Sequence, residues 1–390
     1  MRRMMVALAV VAASTAGLAL GLEIFLRATG FSSPTWYQAD PQFGWVLRPG
    51  VSGWFNREGK AFVQVNSAGQ RDREHPVEKP ADVYRIALVG DAYAEAMQVP
   101  MEKTYWAQLP GLLQGCGFQP GKRIEVLNFG VRDYGTAQAY LMLETRAIRY
   151  RPDLVLLQFD NDVRDNAHAL DAIRDRPFFR LDAQNALRLD KPSAGGQGYV
   201  GRASPVHNLY RTLVDHSRVL QFARERLHVR FMATAHAKSE SGNEAGLDIP
   251  LLAPPREALW DEAWRVTEAL IVKAGEFASD HGAALAVVTV PFAMEVHPDA
   301  ARRARLQAKY GVADFTYSDR RVAAFARERG MLGIELAPQM KRQVEASGAQ
   351  LYGFENNQPG FGHWNERGHR AAAEIIARQL CASPPQAVRR

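Results

Sequence analysis

The sequence predicts an α/β fold with a parallel sheet covered on both faces, and three observations carry that expectation. Five short runs are rich in Val, Leu and Ile without alternation: "YRIALVG" (84–90), "IEVLNFG" (124–130), "DLVLLQF" (153–159), "ALAVVTV" (284–290) and "LGIEL" (332–336). Continuous apolarity of this kind marks strands buried on both faces, as in parallel sheets. Helical stretches separate the runs, and strand–helix alternation argues for a sandwich with right-handed crossovers. The 390 residues are 47% apolar and 23% charged, the balance of a folded chain rather than a disordered one.

The elements follow in order. "TYWAQLPGLLQ" after the first run is helical, with Pro110 expected to kink or shorten it. "TAQAYLMLETRAIRY" follows the second run and ends against "RPD". "REALWDEAWRVTEALIVKAGEFASDHG" precedes the fourth and closes on Gly282, a C-cap glycine. "DRRVAAFARERG" leads into the fifth, and "NERGHRAAAEIIARQL" closes the domain at about residue 382.

Two segments stand outside this alternation. Residues 33–80 carry aromatics, Gly and Pro with short alternating runs such as "AFVQVNS", and are read as a small β-rich lead-in. Residues 171–255 form a long insertion between the third and fourth strands, suited to capping a site or docking a partner. Within it "SAGGQGYVG" and "AKSESGNEAG" read as loops and "SPVHNLYRTLVDHSRVLQFARERL" as a helix. The organisation expected is thus an N-terminal segment 1–32, the lead-in 33–80, an α/β domain 81–382 and a tail 383–390.

The N-terminal segment has its own logic. After Arg2 and Arg3, residues Met4 to Leu22 contain no charge, and nineteen helical residues span roughly 28 Å, about one hydrocarbon core. The basic flank precedes the run, which predicts a single pass with the arginines in the cytoplasm and the main domain exported. A cleaved signal peptide is the alternative, since small residues occur at Ala13–Ala16. The reading favoured is an uncleaved anchor, because the run is long and apolar sequence persists through "EIFLRATGF". An exported domain permits disulfides. Cys116 and Cys381 lie near the ends of the first and last helices of the domain, on one side of the sheet, and are expected to pair.

The net charge of +6 comes from 48 Lys and Arg scattered among 42 Asp and Glu. No zinc spacing, basic-region helix or basic stripe with aromatics occurs, so no nucleic-acid partner is expected. No dinucleotide glycine fingerprint follows a strand, so no cofactor is expected. "DND" (160–162) with Asp165 lacks the Gly and terminal Glu of an EF-hand loop, so no metal is expected.

In an open parallel sheet, ligands collect at the carboxyl ends of the strands near the reversal of strand order. The first three strands each end in a polar, turn-forming cluster: "GDAY", "NFGVRDYG" and "FDNDVRDN". Taken singly, Gly130 is a turn glycine, Asn161 a loop-capping Asn and His363 a residue near a helix start; together at strand ends they make a site.

On these residues the chain resembles the SGNH, or GDSL-type, hydrolases, and in particular membrane-anchored bacterial members with a segment like "AMQVP" after the first block. The likeness covers residues 84–168 and 284–380, with 40–75 also familiar, and implies a flavodoxin-like three-layer sandwich. It implies Gly130 and Asn161 as oxyanion donors and His363 as general base. The nucleophile position is Ala92. Acyl transfer needs a nucleophile on a tight strand-to-helix turn, a base within reach, and donors about 3 Å from the oxyanion; a methyl group supplies neither proton nor lone pair. The family's orienting Asp, three residues before its His, is here Gly360, leaving a backbone carbonyl or Glu355 to hold the imidazole. Trp364 and Tyr134 offer sugar-stacking faces, and His369 is taken as structural.

Three functions are therefore open. One is an inactive or substrate-binding cell-envelope protein facing an acylated glycan or a partner protein. Another is an active esterase or O-acyltransferase, if the alanine is an engineered replacement or if water activated by His363 attacks directly. The last is a scaffold that binds through 171–255 and the lead-in.

Overall fold

The computed structural model describes residues 2–167, 170, 175–190, 196–227, 247–357 and 360–385. The loop expected at 237–246 lies outside them, as does the end of the tail. The lead-in forms two antiparallel hairpins, β1 (Tyr37–Asp40) with β2 (Gly44–Leu47) and β3 (Ser52–Phe55) with β4 (Ala61–Gln64).

All five apolar runs form strands of one sheet. They are β5 (Val83–Val89), β6 (Arg123–Asn128) and β7 (Leu154–Phe159), then, beyond a hairpin of β8 (Phe178–Leu181) and β9 (Leu187–Asp190), β10 (Ala284–Thr289) and β11 (Leu332–Glu335). The sheet is parallel throughout, in the order β6-β5-β7-β10-β11. This is the doubly wound order of a flavodoxin-like three-layer sandwich, whose direction reverses beside β5.

Two apolar layers cover the sheet. On one face Ile86, Leu88 and Leu156 pack with Leu109 of helix Tyr105–Gly115 and Ile376 of helix Glu366–Ala382. On the other, Ala87, Val155 and Val287 pack with Leu141 of helix Thr136–Thr145 and Trp264 of helix Ala258–Asp280. Strands buried on both sides need apolar residues at every position, which is why β7 is buried throughout.

Several local expectations change. Helix Tyr105–Gly115 runs through Pro110 without a break. "SAGGQGYVG" is partly helical, because Gln197–Ala203 forms a short helix closed at Ser204. The single helix expected over 204–227 is two, Pro205–His216 and 218–227, interrupted at Ser217. Helices Ala300–Tyr310 and Ala337–Ser347, both largely polar, and the hairpin β8–β9 are additions to the expected elements. Gly282 does take the left-handed position just beyond its helix, at φ 78°.

Helix Arg2–Ala28 is long and apolar enough to cross a membrane by length and composition, and the 18-residue window that qualifies it is entirely unburied. Cys116 and Cys381 form a disulfide across Cα atoms 6.3 Å apart, tying together the two helices of one layer. The cross-link closes a loop of 265 residues. Replacing both cysteines by serine should lower stability by about 2–4 kcal/mol, read as a lower urea midpoint, and reductant should reproduce the shift in the parent chain. An unchanged midpoint in both would show that the bridge is not holding the layer.

Candidate functional site

The turn after β5 is built with its supports intact. Asp91 caps helix Ala92–Glu95 by accepting the Tyr93 N–H at 2.9 Å, and the chain leaves through Ala96 in the left-handed region at φ 53°. A helix this short leaves its carbonyls unpaired unless something else reaches them. Asn128 Nδ2 and Trp106 Nε1 both donate to the Ala94 carbonyl at 2.9 Å. Arg71, from the lead-in, donates to the carbonyls of Glu95 (2.7 Å), Ala96 and Val99 (2.5 Å). Arg71 is 1% exposed, and burial lowers its pKa only to about 10, so it is charged at neutral pH.

Ala92 lines a cavity of about 610 Å³ together with His363, Glu58, Glu95, Gln98 and Arg132. His363 is held by Glu58, whose Oε2 lies 2.5 Å from Nδ1 and whose Oε1 accepts the His363 backbone N–H at 2.7 Å. A carboxylate only accepts, so the nitrogen facing Glu58, Nδ1, is the one that donates, which leaves Nε2 as the nitrogen for proton exchange. Burial pushes the Glu58 carboxyl up, but the hydrogen bonds and charge of His363 outweigh it and hold Glu58 below the usual carboxylate range. The Tyr93 ring packs 5.3 Å from the imidazole and its hydroxyl donates to the Gly362 carbonyl at 3.2 Å.

Glu58 corrects the expectation that Glu355 or a backbone carbonyl orients the base; Glu355 is exposed. Glu58 sits in the turn between β3 and β4, and Asn356 clamps that turn to the loop before His363. Its Oδ1 accepts from Gly59 N (2.9 Å), and its Nδ2 donates to the carbonyls of Asn56 (3.1 Å) and Gly59 (2.8 Å). Gly362, at φ 79°, leaves room where any Cβ would strike the Glu58 carboxylate. The absent Asp at position 360 signalled that the acid had to come from elsewhere; no local pattern marks a residue 305 positions away.

The other predicted residues are placed differently. The Gly130 N–H donates to Asn128 Oδ1 at 2.9 Å and so is already engaged. Gly130 lines a separate depression with Gln70 and Tyr150, and its missing Cβ lets the Ala94–Glu95 backbone approach. Asn161, at φ 53°, donates from Nδ2 to the Val290 carbonyl at 3.1 Å and accepts from Ser318 Oγ. Ala92 and His363 thus share the cavity; the Gly130 N–H is engaged by Asn128, and Val290 engages one of the two Asn161 Nδ2 hydrogens. Trp364 is 1% and Tyr134 2% exposed, so neither presents a face to a sugar; they are core residues. The aromatic rings on the cavity wall are instead Phe31, Tyr37, Phe55 and Phe222. His369 is buried, accepts the Tyr105 N–H at 3.4 Å, and is kept neutral by burial, which lowers its pKa to about 3.

Buried carboxyl groups surround the turn. Burial and the charge of Asp91 push Asp160 well above the usual carboxylate range, and the two carboxyl groups share a hydrogen bond. Burial raises Asp91 as well, opposed by hydrogen bonds from Asp160, Tyr93 and Gln158 and by the charge of His363. Glu95 accepts from the Tyr37 hydroxyl at 2.8 Å and is raised to about 7 by burial. Among the described residues, no group of three or more His, Cys, Asp or Glu is placed to hold a metal ion.

Burial, with the charge of Asp165, raises Asp162 to about 7. The folded state therefore holds a proton that the unfolded chain has lost, and ionising Asp162 weakens the fold as pH rises. Relative to Asp162→Asn, the parent chain should lose stability between about pH 4 and pH 7 and no more above that, as read from urea midpoints. A pH-independent difference would mean that Asp162 is already ionised at pH 5.

No protein-family model matches the chain, and no curated protein matches it. Among solved structures it is similar to a catalytic mutant of Axe2, an acetylxylan esterase from Geobacillus stearothermophilus, at 13% identity over 77% of this chain and 96% of that one, with a TM-score of 0.39. It is similar to a G-D-S-L-family lipolytic protein from Desulfitobacterium hafniense at 11% identity, 76% and 99% coverage and a TM-score of 0.35. A third likeness is to an α/β hydrolase from the metagenome of Lake Arreo, Spain, at 14% identity, 76% and 95% coverage and a TM-score of 0.37. Likenesses this distant carry no argument about chemistry.

Proposed function

We propose that this chain is an SGNH hydrolase-like protein of the bacterial cell envelope, tethered by helix Arg2–Ala28 with its α/β domain outside the cytoplasmic membrane. It binds an acyl ester, O-acylated glycan being the class favoured, and lacks the group that would cleave it. One observation carries this reading: a fully supported strand-to-helix turn and an oriented histidine share one cavity, and the turn presents the methyl of Ala92.

The chemistry follows from that arrangement. Glu58 accepts a hydrogen bond from the Nδ1–H and stabilises an imidazolium, so Nε2 is the basic nitrogen. With a hydroxyl at position 92, the base would take its proton as the oxygen attacks the ester carbonyl. The ester's C–O bond would then break as the imidazolium returns that proton to the departing alcohol, leaving an acyl-enzyme. With a methyl there, the cavity retains recognition and a base but no attacking atom. The Glu58–His363 pair supports a second reading, in which His363 activates water and the bound ester hydrolyses without a covalent intermediate.

Ala92→Ser should gain hydrolysis of a short-chain acyl ester that the parent chain lacks, and adding His363→Ala should remove about 10²–10⁴-fold of it. Activity in the parent chain, abolished by His363→Ala alone, would establish the water route. Silence in both the parent and the serine variant would overturn the site reading and leave an assembly role through the insertion and lead-in.

A further inference from the structure

We infer that helices Pro205–His216 and 218–227 of the insertion lie in the membrane interface, their outward apolar face seated in the lipid headgroup and acyl boundary; this rests on the anchoring role given above to helix Arg2–Ala28. The first argument is that the amphipathicity of these helices is inverted. Val206, Leu209, Tyr210 and Leu213 recur at i, i+3, i+4 and i+7, one face of a helix, and are 78%, 61%, 46% and 54% exposed. Leu220 and Leu227, i and i+7 on the second helix, are 43% and 66% exposed.

The faces turned to the protein are largely polar. Asp215 pairs with Arg48 at 2.7 Å and accepts from the Thr35 hydroxyl at 3.0 Å. Gln221 accepts the Ser33 N–H at 2.8 Å, Glu225 pairs with Arg57 at 3.1 Å, and Arg224 donates to the carbonyls of Ser33 and Pro34. A helix that spends its polar side on the protein and shows its apolar side outward is built for a nonaqueous neighbour.

The second argument identifies that neighbour as the bilayer. The junction of the two helices is fastened to the last turns of the spanning helix. Glu23, the first charge after the apolar run, accepts from Ser217 Oγ (3.1 Å), Arg218 N (3.0 Å) and Val219 N (3.0 Å), capping the second helix. Arg27 donates to the His216 carbonyl at 2.7 Å, closing the first. The residues that end the hydrocarbon-spanning run therefore hold the apolar stripe, which continues the lipid-facing surface of the anchor. Phe31 and Phe222, in edge contact at 5.8 Å beside this junction, also line the cavity of Ala92 and His363, so the site stands near the headgroups.

The full-length chain, with an environment-sensitive fluorophore on one added cysteine, is reconstituted into phosphatidylcholine–phosphatidylglycerol vesicles carrying nitroxide lipids. Labels at Leu209→Cys and Leu213→Cys should be quenched severalfold by shallow nitroxides, a label at Leu18→Cys by deep ones, and one at Arg370→Cys by neither. Quenching of the insertion labels by aqueous iodide alone overturns the inference. Shielding from both quenchers overturns it too, and assigns the stripe to a second copy or another protein. If Leu18→Cys also escapes the lipid quencher, the anchor reading falls with it; if Leu18→Cys is quenched and Leu209→Cys is not, this inference falls alone.

Discussion

A buried guanidinium holds the architecture of the site. The turn after β5 must leave the sheet, make one turn of helix and reverse through Ala96. Its carbonyls at 95 and 99 have no helical partners, and that at 96 accepts only a long hydrogen bond, 3.5 Å, from the Val99 N–H. Arg71 supplies hydrogen bonds to all three from outside the α/β domain. An unpaired buried carbonyl costs about 1–3 kcal/mol, so such a turn could not stand in the interior without this donor. Arg71 needs its charge for this, and the nearby carboxylates of Glu95 and Asp72 offset part of its desolvation. Because the support comes from the lead-in, the hairpins are part of the site and not a spacer before it.

The same dependence recurs at the base. Glu58 reaches His363 only because β3 and β4 present their turn to the loop at 353–363, with Asn356 fixing the separation and Gly362 allowing the approach. Tyr37, in β1, meets Glu95 at the back of the cavity. The parallel sheet thus provides the turn and the histidine, and the lead-in provides the charges that hold both. These supports give the cavity a defined shape, since buried carboxyl groups and a desolvated arginine destabilise a fold unless their partners stay in place.

Much of the α/β domain was legible because burial on both faces leaves a simple trace: β5, β7 and β10 admit little but apolar residues, so their runs stand out. Helices that cover them were legible too: Ala258–Asp280 turns apolar residues to the core on one face, and Thr136–Thr145 is buried over its first eight residues. Helices Ala300–Tyr310 and Ala337–Ser347 were missed because they are largely polar and meet the core through few residues, such as Leu306, Met340 and Val344. The hairpin β8–β9 was missed because its strands are four residues each and half exposed. Ala92 and His363 could be named because each sits in a local motif. Gly130 could be named too, but its conformation and hydrogen bond depend on Asn128 and on the Ala94–Glu95 backbone, which no local motif reports.

The amino-acid order alone determined the parallel five-stranded sheet, the apolar N-terminal helix, the insertion between the third and fourth strands and the methyl group at position 92. Each of these is a statement about periodicity or residue identity within a short window, where side-chain chemistry and backbone geometry act over a few residues. Only the tertiary structure decided which acid serves His363, which guanidinium holds the turn, and which way the insertion helices face. These are contacts between residues tens to hundreds of positions apart, and their formation depends on how the hairpins, sheet and insertion pack together in three dimensions.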